Sequence, residues 1–197
     1  MNKKDLLADL KDKGFSRSIL DAFEIVPREK FVQFKDRTKA YDDCALALEV
    51  EGATISQPYT IAFMLKQLDV HSQANVLEIG SGSGYVLSLL SHMAPSGYIR
   101  GVDLSAELVE KAKNRLLPRT NVAVHKANGA RGFLRYAPYD RILVSAAFSY
   151  TPYHLLDQLK INGVLVAAVN KKIVRLIKRI DGTSEKIFPG FFFVPLQ

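Results

Sequence analysis

The chain has 197 residues, of which 48% are hydrophobic and 24% charged, and it carries a net charge of +7. This composition is typical of one folded domain, and because Cys44 is the only cysteine, an intramolecular disulfide and a cysteine-rich zinc site are excluded. Charges interrupt the first residues and no apolar stretch approaches about 18 residues, so we expect no signal peptide, no membrane helix and a cytoplasmic monomer.

The first part of the chain, residues 1–70, predicts a helical annex. Amphipathic patterns over 3–13 and 16–25 predict two short helices, with Ser16 as the N-cap of the second. Farther along, the run Ser56-Gln57-Pro58 is typical of a helix start, with the serine as N-cap and the proline in the first turn.

Residues 71–197 predict the α/β core of the same domain, because short apolar runs alternate there with helical periods. Parallel strands are expected over 75–79, 98–103, 122–125, 140–145 and 164–169, and helices over 85–93, 106–116 and 152–159. A final hairpin is expected from strands over 173–180 and 191–196, joined at Asp181-Gly182. The predicted fold class is α/β, a doubly wound, mostly parallel seven-stranded sheet with an antiparallel C-terminal hairpin.

The first strand of this core leads directly into a glycine-rich loop, Gly80-Ser81-Gly82-Ser83-Gly84. Glycines allow a tight turn there and let a ligand approach the backbone. A phosphate-binding loop is the alternative, but the P-loop lysine and Ser/Thr pair are absent and the spacing differs from the G-x-G-x-x-G of dinucleotide sites. Glu78, just before the loop, would repel a pyrophosphate, whereas it tolerates the ammonium group of an amino-acid cofactor.

An acidic residue, Asp103, ends the next predicted strand, about 20 positions after the loop. A carboxylate at this position can accept hydrogen bonds from both ribose hydroxyls of a nucleotide. The structural alternative is that Asp103 caps the helix that follows. Together the loop and Asp103 predict a site for an adenosine-bearing cofactor.

Six segments match one known family pattern, in order and over nearly the whole chain: VPREKFV at 26–32, TISQPY at 54–59, VLEIGSGSGY at 76–85, APYD at 137–140, LLDQLK at 155–160 and FVPL at 193–196. The glycine-rich segment marks methyltransferases in general, whereas TISQPY is much more specific. On these segments the chain resembles the protein-L-isoaspartate (D-aspartate) O-methyltransferase family. The resemblance implies a Rossmann-like class I methyltransferase fold, with S-adenosylmethionine as cofactor and S-adenosylhomocysteine as coproduct.

The resemblance also implies roles for single residues. The serine of TISQPY, here Ser56, is the active-site residue of the family. Asn128 stands where the family pattern has an acidic residue that contacts the adenine, and the asparagine keeps a carbonyl acceptor for this contact. The full cofactor site implied in this way is Thr54, Ile55, Glu78, Gly80, Ser81, Gly82, Ser83, Gly84, Asp103, Leu104, Asn128 and Gly129. No metal is expected, since the four histidines lack metal-ligand spacing.

The implied reaction is methyl esterification of the α-carboxyl of an L-isoaspartyl residue in damaged proteins and peptides, after which the ester closes to a succinimide. A carboxylate is already ionised near neutral pH and needs no strong base. Positioning it in line with the methyl group can supply roughly 7–11 kcal/mol of the barrier. A hydroxyl such as that of Ser56 could hold one carboxylate oxygen while the other attacks.

The sequence departs from the family pattern around the expected substrate. The glycine-rich stretch before the active segment reads LEVEGA at 48–53, Ala168-Val169-Asn170 replaces Pro-Val-Gly, and Lys171 enters the next strand where a loop glutamine is usual. Glu49 and Glu51 form either a solvated edge or a repulsive element that signals a changed substrate. The cofactor is therefore better supported than the acceptor.

Two other functions remain open. The basic residues of helix 106–116 share it with acidic ones, which favours a solvated face, and a second basic run at 171–179 is expected on the exposed side of an edge strand. These charges motivate an RNA or DNA methyltransferase, which is not favoured because Ala146-Ala147 stand where an Asn/Asp-Pro-Pro-Tyr segment would be needed. The altered substrate loops motivate a cofactor-binding homologue that acts by binding a partner.

Overall fold

The computed structural model describes residues 1–193. The helices of this part of the chain are α1 (Lys3–Asp12), α2 (Arg17–Ile25), α3 (Pro58–Leu68), α4 (Tyr85–Met93) and α5 (Ala106–Leu116). The strands are β1 (Leu46–Ala47), β2 (Thr54–Ile55), β3 (Asn75–Ile79), β4 (Tyr98–Asp103), β5 (Val122–Lys126), β6 (Tyr139–Phe148), β7 (Leu159–Val169), β8 (Lys172–Arg179) and β9 (Gly182–Pro189). None of the helices in this part of the chain has the length and apolar character that crossing a membrane requires.

Seven strands form one mixed sheet in the order β5-β4-β3-β6-β7-β8-β9, and β1 and β2 form a separate antiparallel pair. Strands β3 to β7 are parallel, while β8 and β9 run antiparallel. Strands β3 and β6 are neighbours, but the chain leaves β3 toward one edge of the sheet, to β4, and leaves β6 toward the other edge, to β7. In this fold class, ligands bind in the crevice at the carboxyl ends of two such strands. The predicted fold is confirmed, including its antiparallel end.

The N-terminal helices pack onto the core through aromatic side chains. The ring of Tyr85, the first residue of α4, is fully buried and meets Phe23 of α2 and Phe31 edge-on or tilted, with centroids 6.1 and 5.4 Å away. Such aromatic pairs add to the free energy gained by burying the rings. The annex thus contacts the helix that follows the glycine-rich loop; its description as part of one domain stays a prediction.

The helix predicted over 152–159 is wrong. The chain forms only a short 3-10 helix, Tyr153–Gln158, and Leu159 already belongs to β7, where it pairs with Tyr139. The side chain of Gln158 holds this connection, since it accepts from the amide of Phe133 at 2.8 Å and donates to the carbonyl of Arg131 at 2.6 Å. These long-range hydrogen bonds override the local helical pattern.

The second strand of the C-terminal hairpin was also misplaced by the sequence pattern. Strand β9 begins at the tight turn itself, with Gly182 opposite Arg179, and ends at Pro189. Of the predicted strand 191–196, residues 191–193 have no regular structure and residues 194–196 lie outside the described part. As a result, β8 is flanked by β7 and β9 and is not an edge strand, which corrects the position expected for the second basic run.

Candidate active site

The glycine-rich loop joins β3 to α4 at the carboxyl end of the sheet. Gly80, Gly82 and Gly84 all have left-handed backbone angles, with φ of 77°, 49° and 82°, a region in which other residues are strained. The amides of Gly80 and Ser81 both donate to the carbonyl of Val102 on the neighbouring strand. The loop therefore has a fixed conformation in which the glycines themselves add no side chains to its surface.

Asp103, at the end of β4, contacts both the loop and the next helix. One carboxylate oxygen accepts from the amide of Gly82 at 2.8 Å, and the other accepts from the amide of Ser105 at 3.0 Å. Ser105 is the N-cap of α5, and its hydroxyl accepts from the amide of Leu108. Ser105 and not Asp103 therefore caps α5, so the capping alternative for Asp103 is wrong, and each carboxylate oxygen of Asp103 keeps acceptor capacity for a ligand.

A cavity of about 330 Å³ lies beside the loop and is bordered by Asp103. Seven predicted site residues line it: Thr54, Ser56, Gly80, Gly82, Asp103, Leu104 and Gly129. They come from β2, the glycine-rich loop, the end of β4 and the segment after β5. Folding thus brings together residues that are up to 75 positions apart in the chain.

A smaller cavity of about 40 Å³ shares Thr54, Ser56, Gly80 and Gly82 with the larger one. Four further predicted residues line only this smaller cavity: Ile55, Glu78, Ser81 and Ser83. Ser56 therefore lies where the two cavities adjoin.

Glu78 has a buried carboxyl group on the wall of the smaller cavity. One oxygen accepts from the hydroxyl of Ser145 at 2.7 Å, whereas the other oxygen has no partner among the described residues. Burial raises the pKa of Glu78 from 4.5 to about 8, partly offset by the hydrogen bond from Ser145. The hydroxyl of Ser81, on the same wall, likewise has no partner among residues 1–193. The smaller cavity therefore holds unsatisfied polar atoms that a ligand or water can satisfy.

The segment that carries Ser56 is held by side chains from distant parts of the chain. Arg28 donates to the carbonyl of Ser56 at 2.8 Å, and Asp43 accepts from the amide of Tyr59 at 2.8 Å. The N-cap of α3 is Gln57, without a side-chain capping bond, so the predicted N-cap role of Ser56 is wrong. Because Asp43 accepts from the first turn of the helix in its place, the Ser56 side chain is not engaged as a cap.

Two predicted cofactor residues lie outside the walls of both cavities. Gly84 packs against α5, where an added Cβ would approach Ala112 Cβ at 3.1 Å, so close helix packing is its evident role. The side chain of Asn128 accepts from the amide of Ala130 at 2.9 Å and caps a short 3-10 turn. Contact of Asn128 with an adenine therefore stays a prediction, while the adjacent Gly129 lines the larger cavity.

Other residues of the site have no clear signal in the sequence. Ser145 and Ala146, in the last part of β6, line the larger cavity, and Phe192 and Phe193 line it from the C-terminal side. The Phe191–Phe193 run could only be expected to alternate between core and solvent. Residue 192 is indeed exposed, whereas 191 and 193 pack against the core.

Glu49 and Glu51 have different surroundings. Glu49 lies 3.2 Å from Arg115 and 3.8 Å from Lys111, both on α5, and so ties the loop before β2 to the core. Glu51 is exposed and lines the larger cavity. Glu49 is exposed and ion-paired, so it fits the solvated-edge interpretation, whereas Glu51 lines the larger cavity and takes part in no ion pair among the described residues.

The basic runs are largely engaged within the fold. On α5, Lys111 and Lys113 pair with Glu107 and Glu110 at 2.7 Å. On β8, cationic side chains donate to oxygen atoms of other elements, Arg175 to Gln67, Lys178 to Leu159 and Arg179 to Asn162. Within residues 1–193, no three histidine, cysteine or acidic side chains lie together as a group that could hold a metal ion.

Comparison with known proteins identifies the family of the chain. A sequence model of the protein-L-isoaspartate(D-aspartate) O-methyltransferase family matches residues 1–197. A protein-L-isoaspartate O-methyltransferase from Parvibaculum lavamentivorans is 38% identical over 98% of this chain and 90% of its own length, and one from Caulobacter vibrioides is 39% identical over 97% and 88%.

Solved structures show the same architecture. A protein-L-isoaspartate O-methyltransferase superposes with a TM-score of 0.91 at 26% identity, covering all of this chain and 66% of that longer one. A beta-aspartate methyltransferase from Plasmodium falciparum, crystallised with S-adenosyl-L-homocysteine, has a TM-score of 0.85 at 23% identity, over 100% of this chain and 99% of that one, a likeness of fold.

The sheet order, the glycine-rich loop and the cavity beside it define a Rossmann-like domain of the class I methyltransferase type. Within that class, the chain belongs to the protein-L-isoaspartate(D-aspartate) O-methyltransferase family, because the family match extends over its whole length.

Proposed function

We propose that the protein methylates the α-carboxyl of L-isoaspartyl residues in damaged proteins and peptides, with S-adenosylmethionine as methyl donor. The observation that carries this proposal is the position of Ser56, which lines both cavities and adjoins the glycine-rich loop. The family membership and the relatives at 38% and 39% identity support the same reaction.

The residues of the larger cavity fit an adenosine-bearing sulfonium cofactor. Bare backbone at Gly80 and Gly82 borders the space, and a Cβ at Gly80 would approach Ala146 Cβ at 3.1 Å, so little room exists for side chains there. Asp103 offers carboxylate acceptors for ribose hydroxyls. The unpartnered oxygen of Glu78 in the adjoining cavity offers a hydrogen-bond acceptor for an ammonium group. When bound, the cofactor supplies a methyl group whose transfer to a carboxylate oxygen leaves S-adenosylhomocysteine.

Ser56 acts on the acceptor in this proposal. Its hydroxyl donates to one oxygen of the substrate carboxylate and so orients the other oxygen toward the donor. The residue is half-buried and shares the cavity wall with Thr54 and Gly80, so the acceptor is partly removed from water as it binds. No general base is needed, since the acceptor oxygen is ionised before it arrives.

A protein acceptor fits the charge distribution better than a nucleic acid. The lysines of α5 are paired with glutamates, and Arg175, Lys178 and Arg179 of β8 donate to oxygen atoms within the fold. Counterion release from unpaired cations drives nucleic-acid binding, so engaged cations contribute less to it. The net charge of +7 still attracts acidic peptides over a longer range.

Transfer of labelled methyl groups to three acceptors tests the proposal. Purified protein is incubated with radiolabelled S-adenosylmethionine and an isoaspartyl peptide, the same peptide with a normal aspartyl residue, or tRNA. We expect base-labile label in the isoaspartyl peptide alone, because a methyl ester hydrolyses in mild alkali. The aspartyl peptide is the matched control, since the two peptides differ only in whether the α- or the β-carboxyl of that residue forms the peptide bond to the next residue.

Two results would refute the proposal. Transfer to tRNA alone identifies a nucleic-acid methyltransferase. Cofactor binding by calorimetry without transfer to any of the three acceptors identifies a binding homologue with an altered pocket.

A further inference from the structure

Arg28 is the largest fully buried side chain of the molecule's described part, with 0% of its surface exposed. Its Nε donates to the carbonyl of Ala40 at 2.8 Å, and one terminal nitrogen donates to the carbonyl of Ser56 at 2.8 Å. Its guanidinium also lies over the ring of Tyr85, 5.2 Å from the centroid. One side chain therefore contacts the active segment and the helix that begins directly after the glycine-rich loop.

The charge of Arg28 is balanced in an unusual way. No carboxylate lies within ion-pairing distance of it among the described residues, and the second terminal nitrogen has no hydrogen-bond partner there. Burying a cation without an anionic partner costs free energy, so two carbonyls and an aromatic face must compensate. Stability alone would be served as well by an apolar side chain of similar volume.

The anchored carbonyl belongs to the residue whose hydroxyl borders both cavities. Charge-assisted hydrogen bonds from a planar guanidinium are stronger and more directional than those between neutral groups. Because one guanidinium spans Ala40 and Ser56, it fixes the distance between two segments that β-sheet pairing does not connect. A shift of this carbonyl would move the Ser56 hydroxyl relative to the glycine-rich loop.

We propose that Arg28 is a positioning residue for methyl transfer, which holds the Ser56 backbone in register with the helix after the glycine-rich loop. The inference rests on the proposed function, since it assigns Arg28 a role in the geometry of that reaction. Arg28 does not touch substrate or cofactor; it acts through Ser56 on one side and through Tyr85 on the other.

Another arginine supplies a matched control. Arg175 on β8 donates from its Nε to the carbonyl of Gln67 at 2.7 Å, near the end of α3, and neither residue lines a cavity of the site. Arg175→Met therefore removes an arginine–carbonyl anchor of the same kind without touching the active segment. A purely structural role of Arg28 predicts that both variants lose stability but keep kcat when it is measured well below their melting temperatures.

The experiment compares Arg28→Met, Arg28→Lys and Arg175→Met. kcat and KM are measured for the isoaspartyl peptide and for the cofactor, well below the melting temperature of each variant. We expect Arg28→Met to lower kcat about 100-fold, the effect of a misplacement of about 1 Å, with the cofactor KM changed by less than about threefold. Arg28→Lys, which can reach one carbonyl but cannot bridge two, should recover about tenfold of this loss. Arg175→Met should keep kcat within about threefold.

Amide hydrogen exchange at residues 54–57 gives a readout that does not depend on the acceptor. If Arg28→Met does not fold, Arg28→Lys is used for both measurements. Faster exchange there in the Arg28 variants but not in Arg175→Met supports the proposal. Unchanged exchange, or equal loss of kcat in the Arg28 and Arg175 variants, overturns it. Failure of the proposed function is a separate result, because the unmodified protein would then transfer no methyl group to the isoaspartyl peptide.

Discussion

Two walls of the same cavity are held in place by different means. The glycine-rich wall, Gly80–Gly84, is held by its own left-handed backbone and by hydrogen bonds to Val102 and Asp103 on the adjacent strand. The acceptor wall, residues 45–57, has only a two-residue strand pair of its own. Its carbonyls and side chains are held by Arg28 and Gln33 from the annex, and by Arg115 from α5.

This difference shows how separate parts of the site respond to change. The glycine-rich wall has left-handed backbone angles of its own and borders the cavity, so a substitution there acts on the cofactor directly through sterics and strain. The acceptor wall depends on contacts over long sequence distances, so it can shift without any change in its own sequence. We therefore expect defects in the first wall to appear in cofactor affinity and defects in the second to appear in turnover or in KM for the acceptor.

The largest effect is expected from Gly80→Val. A β-branched residue is strained at φ 77°, and its Cβ would lie 3.1 Å from Ala146 Cβ. Calorimetry with S-adenosylhomocysteine should show Kd raised by at least about 100-fold. Gly14→Val is the control, since Gly14 has φ 75° and nothing within 4 Å of an added Cβ. Equal affinities of the two variants would remove the glycine-rich wall from the cofactor site.

Ser56→Ala should distinguish most clearly between effects on the acceptor and effects on the cofactor. Loss of the hydroxyl removes a donor to the acceptor carboxylate, so we expect kcat to fall about 100-fold, as for other donors to reacting oxygens. Cofactor Kd should stay within about threefold, because the backbone of the segment is unchanged. Steady-state kinetics measure the first quantity and calorimetry the second, with the exposed Ser72→Ala as control. A loss of affinity equal to the loss of kcat would place Ser56 on the cofactor side.

A pH effect on stability should come from Glu78 behind the glycine-rich wall. Its pKa is about 8 in the folded protein against 4.5 ordinarily, so the folded state keeps a proton that the unfolded chain loses. The contribution of Glu78 to the free energy of unfolding should then be greatest below about pH 4.5 and fall as pH rises to about 8, by at most about 1.4 kcal/mol per pH unit.

Glu78→Gln keeps the shape and an acceptor for Ser145 but cannot titrate, so it should lack this decline. Urea unfolding of the ligand-free proteins between pH 5 and pH 9 measures it. Parallel curves for the two proteins would show that Glu78 is ionised in the folded state throughout this range.

The smallest effect is expected from Glu49→Gln, and the direction in which it changes KM for the isoaspartyl peptide distinguishes two roles of Glu49. If Glu49 mainly tethers the acceptor wall to Arg115, its loss should raise KM for the isoaspartyl peptide about two- to fivefold at low salt, the range of partly exposed pairs. If Glu49 mainly repels acidic peptides, KM should instead fall. Either effect should shrink at 0.5 M salt because of screening, and kcat should hardly change.

The sequence predicted the core of this protein well and its connections less well. Strands β3, β4 and β5 and helices α4 and α5 lie within a residue of their predicted bounds, because strong periodicity and clear breakers define them. The stretch 152–159 was misplaced because Gln158 bonds to distant partners, Phe133 and Arg131. The last strand was misplaced because it begins at the tight turn itself, at Gly182 opposite Arg179, and not nine residues later. The contacts of Arg28 could not be predicted either, because its position in the segment VPREKFV does not indicate that it bonds to Ala40 and Ser56.

By itself, then, the sequence determined the sheet and the glycine-rich loop, because hydrophobic period and glycine conformations act over a few residues. It also indicated the family, through segments such as TISQPY. Only the tertiary structure decided that Ser56 adjoins that loop, that Asp103 supports Gly82, and that Arg28 reaches the active segment. These contacts join residues up to 28 positions apart, and the geometry of packing alone selects which polar groups meet over such distances.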